Sequence, residues 1–138
     1  MSRENVEVVR QIQEADAHRD AQAVLSLYDQ EVELDYSRLP HAEVIGRGLY
    51  RGHEGLRSWY REWFDAWENF ETVTEEVIDA GGEHVVSVWS QRGRGRASGA
   101  EVELRRAAAL WTIRNGKVVR LVGFRSRDDA LEAVGLRE

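Results

Sequence analysis

Residues 107–113 and 118–124 are two β-prone runs, and between them lies the dipeptide Asn115-Gly116. Asn-Gly is the pair that most readily takes positive φ at both central positions of a two-residue hairpin turn. The segment is therefore expected to fold back on itself as an antiparallel hairpin, and the chain before it repeats the pattern. From Phe70 onward the sequence reads as four strands, roughly 70–79, 83–92, 101–114 and 117–125, with Gly81-Gly82 as the first turn. The second connection carries Gly93, Gly95 and Gly99, which suit a long or bulged hairpin end. Ser126 is placed to cap a short last helix through Asp128, Asp129, Ala130, Leu131 and Val134, closed by Gly135.

The front half is helical with one strand inside it. Val8, Val9, Ile12 and Ala15 share a stripe that predicts a helix over 3–18, with Ser2 and Asn5 as nearby capping oxygens. Asp20 is a candidate N-cap for a second helix that buries Ala23, Val24, Leu27 and Tyr28. Residues 31–36 alternate polar and apolar, so Val32, Leu34 and Tyr36 should face inward and Glu33 and Asp35 outward. Residues 37–50 hold the only proline, Pro40, and read as a loop. Over 52–67, Leu56, Trp59, Tyr60, Trp63 and Trp67 form one wide aromatic face of a third helix. Helices followed by a run of strands predict an α+β domain spanning 1–138. A curved antiparallel or mixed sheet should form a cone, packed on the three helices of the N-terminal half plus a short C-terminal helix.

Composition narrows the function classes. A chain of 138 residues can bury a core without staples. With no cysteine there is no disulfide, thiolate metal site or cysteine nucleophile. The formal charge of −6 argues against general nucleic-acid or anionic-membrane partners. No apolar run approaches the roughly 20 residues that span a bilayer, and the N-terminus lacks the apolar core of a signal peptide. A cytoplasmic protein is the expectation. His18, His41, His53 and His84 are scattered with no paired spacing, so neither a metal nor a cofactor is expected. His41 lies in the loop and is a candidate at the pocket mouth. The run Arg92-Gly93-Arg94-Gly95-Arg96 is a single copy without interleaved aromatics and reads as a solvated hairpin tip.

The order of elements resembles the SnoaL-like branch of the nuclear transport factor 2-like superfamily. Leu27-Tyr28 before the first strand carries the likeness, with Tyr50-Arg51-Gly52-His53-Glu54-Gly55-Leu56 at the entry to the aromatic helix. The hairpin from Trp111 to Phe124 and the ending Ala130-Leu131-Glu132-Ala133-Val134-Gly135-Leu136 extend it over nearly the whole chain. The resemblance implies a pocket inside the cone and leaves activity open, since relatives include isomerases, dehydratases, cyclases, an epoxide hydrolase and pure binding proteins. The steroid isomerases place an acid at the end of the first strand, where this chain has Tyr36 with Asp35 on the other face. Their second acid has no counterpart in the expected inward series Arg105, Ala107, Ala109, Trp111 and Ile113. The hydrolase pattern of an Arg between two Asp is incomplete around Arg105, because the last strand offers Val122-Gly123-Phe124. The dehydratase histidine pair is absent from Ser87, Trp89, Ala107 and Ala109.

Asp16 stands out because it continues the stripe of Val9 and Ile12. A carboxylate there, drawn partly out of water, would have a raised pKa and serve as general acid or base. The alternative places it in solvent or in a pair with Arg19 or a strand arginine. The expected pocket lining is Ile12, Tyr28, Leu34 and Tyr36 from the front half, and Trp59 and Trp63 from the aromatic helix. Trp89, Gln91, Arg105, Ala109 and Trp111 would line it from the sheet. Three functions follow: binding of a small hydrophobic or aromatic molecule; cofactor-independent lyase, isomerase or cyclase chemistry; or assembly with a vestigial pocket. Val86, Val88, Ala108 and Leu110 make the second sheet face apolar as well. Such a face needs a cover, which predicts a homodimer through the convex side.

Overall fold

A computed structural model describes residues 2–39 and 48–135. The elements are α1 (Ser2–Ala17), α2 (Ala21–Ser26), β1 (Tyr28–Asp35), β2 (Leu49–Arg51), α3 (Gly52–Ala66), β3 (Trp67–Asp79), β4 (His84–Gly95), β5 (Glu101–Arg114), β6 (Lys117–Phe124) and α4 (Arg127–Ala133). The strands form one six-stranded sheet in the order β2-β1-β6-β5-β4-β3. It is mixed: β1 runs parallel to β6, and every other neighbouring pair is antiparallel. The sheet is open and does not close into a barrel.

Local chemistry sets most boundaries. Asn115 and Gly116 have φ of 54° and 76°, the two positive angles a tight right-twisted hairpin needs. Asp20 accepts a hydrogen bond from the Ala23 amide at 3.1 Å and starts α2. Ser126 accepts one from the Asp129 amide at 3.1 Å and starts α4. Asn5 does not cap α1; its amide donates to the Gly82 carbonyl at 3.2 Å and ties that helix to the β3–β4 turn.

Three differences from the sequence expectations have physical causes. β2 lies inside the stretch expected to be loop and is held by pairing with Glu33, Leu34 and Asp35 of β1. Trp67 adopts extended angles, so the chain passes from α3 straight into β3. β5 carries a bulge: Trp89 pairs with Ala107 but Gln91 with Leu104, so Arg105 and Arg106 together face Ser90. Arg106 takes a φ of 49°, and one extra residue on a strand reverses its in–out alternation. Pro40 and His41 lie outside the described residues.

Two apolar clusters lie on opposite faces of the sheet. The larger joins α1, α2 and α3 to Val32, Leu34, Val85, Ala109, Trp111 and Leu121. The smaller comprises Val86, Val88, Ala108 and Leu110 under Ala130 and Leu131 of α4. Val86, Val88 and Ala108 are fully buried within the single chain. The expectation that the helices would cover one face only is therefore corrected, because α4 crosses to the other face and covers this patch. The need for a second chain over these residues falls away with it. Ion pairs fasten the cover: Arg127 of α4 reaches Glu76 at 3.2 Å, and Arg106 pairs with both Glu75 and Glu76. Among the described residues, no helix is long and apolar enough to cross a membrane.

Candidate active site

Val9 and Ile12 bury the inner stripe of α1 in the larger core. That docking brings Asp16, near the end of the helix, up to α3. Tyr60 of α3 donates a hydrogen bond to Asp16 Oδ1 at 2.5 Å, across 44 residues of sequence. Tyr60 meets Trp59 edge-on at 5.2 Å, and Trp59 stacks on Trp63 at 5.4 Å with 14° between planes. Tyr36, at the end of β1, lies 5.0 Å from Trp59. A continuous aromatic surface thus runs from the strand to the acid. The chain has room for Tyr36 because Gly123 sits opposite: a Cβ there would come within 3.0 Å of the Tyr36 ring and 2.7 Å of Leu39.

The electrostatics separate the acid from the phenols. Asp16 keeps a face open to solvent, yet burial pushes its carboxyl from the ordinary 3.8 up to about 6. The hydrogen bond from Tyr60 offsets only part of that rise. The phenols of Tyr28, Tyr36 and Tyr60 are all pushed upward, first by burial and then by the charge of Asp16 and by one another. They stay neutral and can donate. Among the described residues, no arginine, lysine or histidine pairs with Asp16. Arg19 instead lays its guanidinium over the Phe64 ring at 4.9 Å.

The other expected site residues divide into groups. Trp59, Tyr36 and Trp89 are half-buried and pack against the larger core; Trp63 is buried. Ile12, Tyr28, Leu34, Ala109 and Trp111 are buried in the body of the protein, Ala109 being 4% exposed. They are members of the larger core cluster. Trp111 is fixed by donating its indole N–H to Ser87 Oγ at 2.9 Å. Gln91 is buried beside Thr72, at 3.4 Å, and makes no contact with Asp16. Arg105 is a correction: it does not face inward, its side chain being 80% exposed and paired with Glu103 at 2.9 Å. The bulge at 105–106 turned it out of the inward series. Asp35 faces away from the cluster; although burial alone would raise its pKa, hydrogen bonds from Ser37 and Arg38 hold its carboxyl below the usual range.

Two features escaped sequence reasoning. Tyr60 was legible as a member of the aromatic stripe but not as the partner of Asp16. Tyr50 of β2 donates to Glu62 Oε1 at 2.9 Å and connects the missed strand to α3. A separate groove of about 530 Å³ lies at the other end of the sheet, around Phe70, Gly93 and Val102. Its charged rim is already engaged in the pairs Arg92–Glu71 and Arg94–Glu101. No group of acids and histidines among the described residues is arranged to hold a metal.

A helix-backed open sheet, with an acid bonded at the edge of an aromatic cluster, defines a small α+β domain. The chain belongs to the SnoaL-like domain family, whose model matches residues 9–121. No curated protein matches it. A nuclear transport factor 2-like protein of unknown function from Burkholderia pseudomallei K96243 is similar in structure, at a TM-score of 0.75 and 20% identity over 96% of this chain and 98% of that one. TerC co-crystallised with polyporic acid is similar at 0.74 and 20%, over 95% and 98%. A protein with a ketosteroid isomerase-like fold from Catenulispora acidiphila, in complex with trimethylamine, is similar at 0.69 and 16%, over 94% and 93%.

Proposed function

We propose that the protein binds a small, largely apolar molecule on the concave side of the sheet, with Asp16 and the neighbouring phenols as its polar end. The observation that carries this is the carboxyl of Asp16, raised toward neutrality, set at the end of the Tyr36–Trp59–Tyr60 row of rings. Stacked rings offer flat apolar area at low entropic cost, and the phenols supply direction. The ligands of the two fold neighbours, an acid and an amine, support a pocket that takes small molecules and disagree about charge.

The same geometry favours a second reading, cofactor-independent acid–base catalysis. A carboxyl titrating at about 6 is populated in both forms near neutral pH, as proton transfer requires. Asp16 would take a proton from a carbon acid, or deliver one, while Tyr60 holds the carboxylate in place and a neutral phenol stabilises a developing oxyanion. Quenching of tryptophan fluorescence by small aromatic compounds tests the binding reading. Failure of every such compound to saturate the signal at millimolar concentration sinks it. Turnover that survives Asp16→Asn unchanged sinks the catalytic one.

A further inference from the structure

We infer that the hydroxyl of Tyr28 is the hydrogen-bond donor that selects the ligand, and that the molecule it selects carries a carbonyl oxygen on an apolar body. This deepens the binding reading above and rests on it. Tyr28 is 3% exposed, so its phenol lies almost wholly inside the protein. Among the described residues its hydroxyl has no hydrogen-bond partner. A buried hydroxyl left unpaired is uncommon and unfavourable, and an acceptor brought by a ligand relieves it. Other phenols have spent their protons: Tyr60 donates to Asp16 and Tyr50 to Glu62. The indole N–H of Trp67 is also unpartnered, but it is sealed from solvent and its ring meets Trp63 edge-on at 5.2 Å. Among the described residues no other side-chain nitrogen or oxygen is both sealed and unpartnered. The Tyr28 oxygen is unpartnered, so it is not sealed. Part of the sliver of surface that this residue keeps therefore lies at its hydroxyl.

The surroundings hold that hydroxyl still. Tyr28 opens β1 beside Val118 of β6. Its carbonyl oxygen lies 2.8 Å from His53 Nε2 at the start of α3. Its ring lies 6.4 Å from that of Trp111, which is itself fixed through Ser87. A donor fixed before the ligand arrives loses little freedom when it is used. Burial raises the phenol's pKa, and the neighbouring Tyr36 and Asp16 add to the rise, so the proton stays on the oxygen. Tyr28 thus offers one proton to one acceptor. A charged oxygen needs several donors or a cation to replace its water. A ketone or ester carbonyl has less hydration to lose, and one donor satisfies it. Tyr28 belongs to the same apolar cluster as Ile12, Leu34 and Trp111, so the body of a molecule that reaches it is apolar.

The test uses the whole protein and two probes of one shape: acetophenone and its carbon isostere α-methylstyrene, in which a methylene group replaces the carbonyl oxygen. Ligand-observed NMR gives the affinities. Tyr28→Phe removes the hydroxyl and keeps the ring. It should weaken acetophenone about tenfold, the loss of one hydrogen bond, and leave α-methylstyrene unchanged. In urea the free variant should be at least as stable as its parent, because no group among the described residues bonds to the hydroxyl that is lost. The infrared carbonyl stretch of acetophenone bound to the unsubstituted protein should lie below its value in hexane and move back toward it in the variant. A loss shared equally by both probes, a loss for neither, or a variant that is less stable or does not fold overturns the assignment to Tyr28 and leaves the binding reading intact. A bound carbonyl that keeps its hexane frequency in the unsubstituted protein does the same. If neither probe binds that protein at millimolar concentration, both readings fail.

Discussion

Replacing Asp16 by asparagine should make the folded protein more stable at pH 7.5 and leave it unchanged near pH 4. Burial raises the carboxyl from 3.8 to about 6 in the folded state. An acid raised on folding holds its proton more tightly in the native state. Its stabilisation is complete below 3.8 and is lost as pH climbs through about 6. The shift of about 2 pH units corresponds to roughly 3 kcal/mol at 1.36 kcal/mol per unit. Asp16 retains an exposed face, and solvent screening cuts that to about 1 kcal/mol. Asparagine stays neutral throughout and can still accept the hydrogen bond from Tyr60, so it avoids the loss. With urea slopes of about 1–3 kcal/mol per molar, the unfolding midpoint of D16N should exceed that of the parent by about 0.5 M at pH 7.5. The gap should close as pH is lowered through the window from about 6 to 3.8. A variant less stable than its parent at pH 7.5, or a gap that ignores pH, refutes the electrostatic account of this acid.

Two further substitutions probe the support of the site and the cover of the far face. Ser87→Ala strands the buried indole N–H of Trp111 and should cost about 1–3 kcal/mol in a urea titration. Ser126→Ala removes the cap of α4 and should cost about 1 kcal/mol, with increased binding of a hydrophobic dye as Val86, Val88 and Leu110 lose their cover. Dye binding that stays at the parent level after a measured loss of stability would show that α4 is held by other means.

The fold was legible where local chemistry repeats. Alternation marked β1 and the late strands, Asn115-Gly116 marked the hairpin, Asp20 and Ser126 marked two helix starts, and the aromatic stripe marked α3. β2 was not legible, because three residues are too few to show a period and their pairing partners on β1 are distant in sequence. Arg105 was misplaced because a bulge is a tertiary event: alternation carried through it assigns Arg105 and the residues before it to the wrong face. The choice of face by α4 left no trace either, since a seven-residue helix with one apolar side fits either layer. Periodicity singled out Asp16, whereas its partner Tyr60 emerged only once α1 and α3 were packed together.

α4 is also synthesised after the sheet it covers. Val86, Val88, Ala108 and Leu110 leave the ribosome earlier than the side chains that seal them, Ala130 and Leu131. A nascent sheet complete through β6 therefore presents an apolar surface until α4 arrives. Loss of α4 would remove no part of the Asp16 cluster. It would still expose a sticky face on an otherwise folded sheet, the kind of surface through which chains associate. For this protein, the integrity of α4 governs colloidal behaviour more directly than it governs chemistry.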